Sequence, residues 1–196
     1  LERLDPVADM LANVDARGDP VPTARFMGGR ELELVAGPEA VRATASESDV
    51  GAIVASGVVA LPSFVPGSGP RMGRPGRIVG DPGPEPARRA ALAALYGALT
   101  VELMLEKLRA AGPLLIEGSF HTNRAFCGLL AALRPSQPVH VMSDPSGTAR
   151  GAWLLAHWDQ AEATLPGALG PALPPLAVPG LAAYRATWRE LATAPA

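Results

Sequence analysis

The sequence has one cysteine, Cys127, and one lysine, Lys107, and only 5% of its 196 residues are aromatic. A single thiol excludes an intrachain disulfide. The lone lysine follows Glu106 on the polar side of a helical stretch, so a phosphate loop of the Gly-x-x-x-x-Gly-Lys-[Ser/Thr] type does not occur. Charge is scarce: charged residues make up 18% and the formal net charge is −2, leaving neither the basic footprint of a nucleic-acid binder nor an acidic disordered tail. No apolar run approaches the roughly 18 residues of a membrane span, and Glu2, Asp5 and Asp9 stand where a signal peptide would be basic and then apolar. The expectation is a cytoplasmic protein with no membrane and no nucleic-acid partner. His121, His140 and His157 show no close metal-ligand spacing, so no bound zinc is expected, and Gly-x-Ser-x-Gly does not occur.

What is present is an apolar chain, 48% hydrophobic, of a length that suits one domain with a real core. The 21 glycines and 21 prolines are scattered through apolar segments and fall mainly in loops. Turn residues around Gly18 predict an irregular hairpin or loop before Pro22. Leu32 to Ala36 reads as at most two turns of helix, stopped by Gly37-Pro38. Asp49 to Leu61 reads as a short helix or turn followed by a strand, and Pro62 to Pro86 as an irregular centre. There Arg71, Arg74 and Arg77 are spaced three apart and could meet phosphate, or could be solvated loop arginines.

From Pro86 the pattern sharpens. Leu92, Leu95, Tyr96, Leu99 and Leu103 draw one apolar stripe along a helix ending at Gly112-Pro113. Leu114 to Ile116 follows as a strand, then Glu117-Gly118-Ser119 as a turn, then Thr122 or Asn123 as cap of a helix through Leu133. The order recurs with a strand at Val139 to Met142, a loop at Ser143 to Gly147, and a helix capped by Thr148 and running to about Trp158. Alternation at this spacing implies a parallel strand pair and an α/β domain. The Pro-rich stretch after Gln160 has no regular pattern, and Leu181 to Leu191 reads as a terminal helix. Cys127 is expected to be a buried structural thiol, and Trp153 and Trp158 core or interface residues.

In open α/β sheets ligands lie beyond the carboxyl ends of the strands, where helix N-termini favour phosphate. Two loops qualify. In Glu117 to Asn123, Gly118 allows close backbone approach and Asn123 offers an amide able to read a base or ribose; the other loop is Ser143 to Thr148. By spacing alone both are better explained as ordinary strand-to-helix turns than as ligand sites.

Several segments in order resemble the C-terminal domain of the FGGY carbohydrate kinases. They are Leu61-Pro62-Ser63-Phe64-Val65-Pro66-Gly67, then Arg74-Pro75-Gly76-Arg77-Ile78-Val79-Gly80, then Arg88-Arg89-Ala90 entering the long helix. Ile116 to Asn123 resembles that family's glycine-rich adenosine motif, and Gly147 to Ala156 its closing Ala-Thr-Ala-x-Gly-Ala-type helix. The resemblance implies an actin-like, ribonuclease H-like ATPase domain spanning 1–196, with ATP and Mg²⁺ in a cleft. Gly118 and Ser119 would then lie toward the adenosine and phosphates, and Asn123 at the base. Arg25 to Glu31 is similar to the Gly-Arg-Glu stretch of the ketose kinase branch that includes rhamnulokinases, which implies a ketose substrate.

Departures accompany the likeness. Ser119 and Phe120 replace the family's second and third glycines, which narrows the room expected beside a nucleotide. The family's N-terminal domain, its aspartate general base and its Gly-Thr phosphate hairpin have no match here. The implied partners are a sugar substrate and that N-terminal domain, and a homo-oligomer is compatible with the sequence. Alone the chain is expected to be inactive. The alternatives are a non-catalytic interaction module on the same fold and an unrelated doubly wound binding domain.

Overall fold

The computed structural model describes residues 4–71, 73–142, 147–160 and 170–194. After a single 3-10 turn at Pro6–Ala8, β1 (Met10–Val14) and β2 (Pro20–Ala24) form an antiparallel hairpin. Its connection is organised by Asp15, whose Oδ1 accepts from the backbone N–H groups of Arg17 at 2.8 Å and Asp19 at 2.9 Å. Helix α1 (Gly28–Ala36) is longer than its leucines suggest, because Gly28, Gly29 and Arg30 already belong to it. Helix α2 (Glu47–Ser56) begins with a reciprocal cap: Ser46 Oγ accepts from Asp49 N, and Asp49 Oδ2 accepts from Ser46 N at 2.8 Å. Those Ser46 hydrogen bonds hold the Asp49 carboxyl below its ordinary value. Gly57, at φ 70°, ends the helix.

Strand β3 (Val59–Leu61) pairs antiparallel with β4 (Arg77–Val79), so the Pro- and Gly-rich centre holds a strand that its composition conceals. The central element is α3 (Pro86–Lys107), opened by a proline that needs no amide partner and about 33 Å long. Every residue from Ala91 to Thr100 is buried. The alanines and Gly97 let α1, α2 and α4 pack around it, and a Cβ at Gly97 would lie 2.9 Å from Leu32. Strand β5 (Leu114–Ile116) leads through a 3-10 turn at Gly118–Thr122 into α4 (Arg124–Leu133), and β6 (Val139–Val141) returns parallel to β5. The expected parallel pair is therefore formed, within a mixed helix and strand architecture. The described strands make three separate two-stranded sheets.

Helix α5 (Gly147–Ala156) stops short of Trp158, which opens a 3-10 turn, and the preceding loop at 143–146 lies outside the described residues. Trp153 and Trp158 are not core residues: they are 44% and 47% exposed, and Trp153 stacks on His157 with ring centroids 4.4 Å apart. The terminal helix α6 (Leu181–Thr193) reaches across to β3 with two buried polar tips, Tyr184 Oη donating to Val58 O and Trp188 Nε1 to Ala60 O, both at 2.7 Å. Burial raises the Tyr184 pKa. Arg185 and Arg189 of α6 meet Glu102 and Glu106 of α3; Arg189 Nη2 lies 3.0 Å from the fully buried Glu102 as an ion pair without hydrogen-bond alignment. Among the described residues no helix is long and apolar enough to cross a membrane.

Candidate functional site

The carboxyl end of β5 delivers the segment that the sequence singles out. Gly118 takes φ +68°, a conformation open to glycine and strained for other residues, and a Cβ placed there would meet nothing within 4 Å. The turn closes on itself: His121 Nδ1 lies 2.5 Å from Gly118 O, and Thr122 Oγ1 donates to Ser119 O at 3.0 Å. Asn123 then caps α4, its Oδ1 accepting from Phe126 N at 3.0 Å. The cap engages Oδ1 alone, and among the described residues the Nδ2 hydrogens have no partner. Of the two cap candidates, Asn123 is the one used.

Ser119 and Asn123 line a cleft of about 250 Å³. Helix α1 supplies Gly29, Leu32, Glu33 and Ala36 to its wall, the segment after α1 supplies Ala40, Val41 and Ala43, and α3 supplies Ala90 and Ala93. The walls are small and apolar, with one charged group: Glu33, which is paired with Arg30 at 3.1 Å. A space of this size suits one ring system, with the rest of a ligand extending outward. Gly118 lies outside the lining, one residue back, and acts by turning the chain. The α4 N-terminus adds the partial positive charge of its free N–H groups beside Asn123.

Phe120 does not narrow this cleft as its identity suggests. Its ring packs on Phe126 with centroids 4.8 Å apart and sits 2.6 Å from where a Gly28 Cβ would be, so it turns into the core. Cys127 is buried beneath the same turn as expected, donating to Phe120 O at 3.3 Å, and burial pushes its thiol up to about 11. The α1 wall, the segment after it and the two α3 alanines are contributions that sequence reasoning missed. The nearest signal was Gly28-Gly29 together with the alanines of the long helix.

The cleft is supported from behind. Glu31, fully buried on α1, accepts from Phe64 N at 2.8 Å, Val65 N at 3.0 Å and Tyr96 Oη at 2.6 Å. It fixes α1 to α3 and to the loop after β3. Burial, then the Glu31 carboxylate, raises the Tyr96 pKa well above its ordinary value. Asp9 secures the same loop from the hairpin side, accepting from Gly69 N at 3.1 Å and from Arg25 Nε at 2.8 Å.

No curated protein is similar in sequence to this chain. Among solved structures, a carbohydrate kinase from Novosphingobium aromaticivorans is similar at 30% identity and a TM-score of 0.78, over 96% of this chain and 40% of that one. A xylulose kinase from Rhodospirillum rubrum is similar at 18% identity and a TM-score of 0.63, over 95% of this chain and 42% of that one, a likeness of fold. The chain thus spans about two fifths of the length of either kinase. The family described as Carbohydrate kinase FGGY, C-terminal domain, matches residues 1–164, and the chain belongs to that family.

Proposed function

We propose that this chain is the nucleotide-binding part of an ATP-dependent carbohydrate kinase, with an actin-like, ribonuclease H-like ATPase fold. The observation that carries the reading is the small-walled cleft beside Ser119 and Asn123, at the carboxyl end of a strand and the N-terminus of α4, in a chain of a kinase family. The adenine ring enters between α1 and α3, the Asn123 Nδ2 group donates to it, and the bend at Gly118 leaves room for the rest of the nucleotide. In-line transfer of the γ-phosphoryl group to a sugar hydroxyl then needs a base for that hydroxyl and a second wall to exclude water, which belong to the family's N-terminal domain. Arg25 to Glu31 supports a ketose as the acceptor. Among the described residues no group of three or more His, Cys, Asp or Glu is placed to hold a metal ion, so no residue of this chain is assigned to Mg²⁺.

Titration calorimetry of the chain with ATP in Mg²⁺ tests the reading. Saturable binding is expected, lost at least tenfold in Ala90→Phe, whose ring fills the cleft from the half-buried face of α3. A folded chain that binds no ATP, or an Ala90→Phe variant that binds it as well as wild type, overturns the site. Phosphoryl transfer is expected only when the N-terminal domain is supplied.

A further inference from the structure

A second cavity, of about 410 Å³, opens at the other end of α3. The nucleotide cleft touches α3 at Ala90 and Ala93, whereas this cavity touches it at Leu103 and Lys107, roughly 20 Å further along the helix. Its polar lining is strongly one-signed: Arg71, Arg74 and Lys107 face a single carboxylate, Asp5, giving a local excess of two positive charges. Lys107 Nζ sits 3.3 Å from Asp5 Oδ2. Among the described residues neither arginine has a carboxylate partner. Arg71 is instead held by its Nη2 donating to Ala194 O at 2.9 Å, which fixes one guanidinium against the end of α6. Val7 and Leu103 supply an apolar wall.

We propose that this cavity is a binding site for a small organic phosphate, its dianion held by Arg71 and Arg74 with Lys107 alongside, and its carbon body against Val7 and Leu103. Paired guanidinium groups match the oxygens of a phosphate, and three cations around one carboxylate leave a charge that a dianion cancels. The arginines are not already neutralised: burial, and secondarily the neighbouring Arg74, pulls the Arg71 pKa below its ordinary value, so the pair repels in the absence of an anion. Arg77, third in the sequence series, is exposed on β4 and takes no part.

The site is tested by following backbone amide resonances of the 196-residue chain while adding inorganic phosphate, and in a second series glycerol 2-phosphate, at ionic strength held constant with chloride. Saturable shifts are expected at Arg71, Gly73, Arg74 and Lys107, with the ester binding several-fold tighter than inorganic phosphate. The double variant Arg71→Gln/Arg74→Gln, and Arg74→Gln by itself, are expected to weaken binding about tenfold or more. Shifts confined to Ser119 through Asn123, shifts reproduced by chloride, unchanged affinity in the variants, or an ester that binds no tighter than phosphate would each overturn the proposal.

Discussion

Replacing Glu31 by alanine removes one side chain and orphans three donors: the amides of Phe64 and Val65 and the hydroxyl of Tyr96. Hydrogen bonds to a charged acceptor contribute about 1.5–3 kcal/mol each. Part of that gross loss is returned, because a carboxylate with no exposed surface no longer has to be kept out of water. Leaving a buried donor unsatisfied costs about 1–3 kcal/mol, so after that return the three donors orphaned by Glu31→Ala are expected to destabilise the fold by about 4 kcal/mol in all. Glu31→Gln keeps one acceptor oxygen, which can serve Phe64 and Tyr96 together, but turns an NH₂ toward the Val65 amide, and about 2 kcal/mol is expected for that unsatisfied donor. Urea unfolding at neutral pH with linear extrapolation measures both. Since domains are stable by only about 5–15 kcal/mol, the alanine variant should sit close to unfolding in mild denaturant. A loss under about 1 kcal/mol for Glu31→Ala, or a glutamine variant as damaged as the alanine one, would refute the assignment of Glu31 as the common acceptor. A double-mutant cycle with Tyr96→Phe should show about 1 kcal/mol of coupling.

Asn123→Asp preserves the acceptor for Phe126 N but removes the amide donors, so unfolding free energy should stay within about 0.5 kcal/mol of wild type while ATP affinity falls several-fold. Asn123→Ala should lose both, with about 1 kcal/mol of stability, and wild-type ATP affinity in both variants would separate Asn123 from the nucleotide. Glu102→Ala should destabilise by about 3 kcal/mol in thermal or urea unfolding, because Arg185 and Arg189 then keep only the half-exposed Glu106; an effect within 0.5 kcal/mol, the level of a typical surface substitution, would show the cluster to be inert. The Cys127 thiol, raised from 9.0 to about 11, stays protonated in the folded state where the unfolded chain has already lost the proton. Its contribution is complete below pH 9 and declines by about 3 kcal/mol as pH rises from 9 through 11. Cys127→Ala should flatten that part of the pH–stability curve, and an unchanged slope would refute the burial argument.

Helices α3 and α4 were legible because their signals are local: a proline at the first position, leucines at helical spacing, and an asparagine whose cap is made with its own chain three residues on. Strand β4 was not legible from pattern, only from the family resemblance over Arg74 to Gly80, since Arg77, Ile78 and Val79 are too few to show a period and sit between Pro75-Gly76 and Gly80; their partner, β3, lies on the far side of the loop. The start of α1 was hidden by Gly28 and Gly29, weak helix formers that tertiary packing nevertheless keeps helical, Gly28 lying against Phe120. Of the candidate site, the sequence exposed the polar half, Ser119 and Asn123. Its apolar walls depend on Ala40, Ala43, Ala90 and Ala93, residues without chemistry of their own that become a surface only when α1 and α3 come together.

The solitary thiol under the Gly118–Thr122 turn also makes this chain its own clock. Cys127 Sγ reaches Phe120 O, and alkylation requires that contact to part. With no second cysteine to confuse the signal, the rate of modification in native conditions counts the openings of one turn, the turn that presents Ser119 and Asn123 to the cleft. A ligand that settles on Ser119 and Asn123 must slow that clock by the factor through which it binds the closed form better than the open one. Occupancy of the cleft can therefore be timed from beneath it, without an introduced probe residue, a substrate turnover or a second domain.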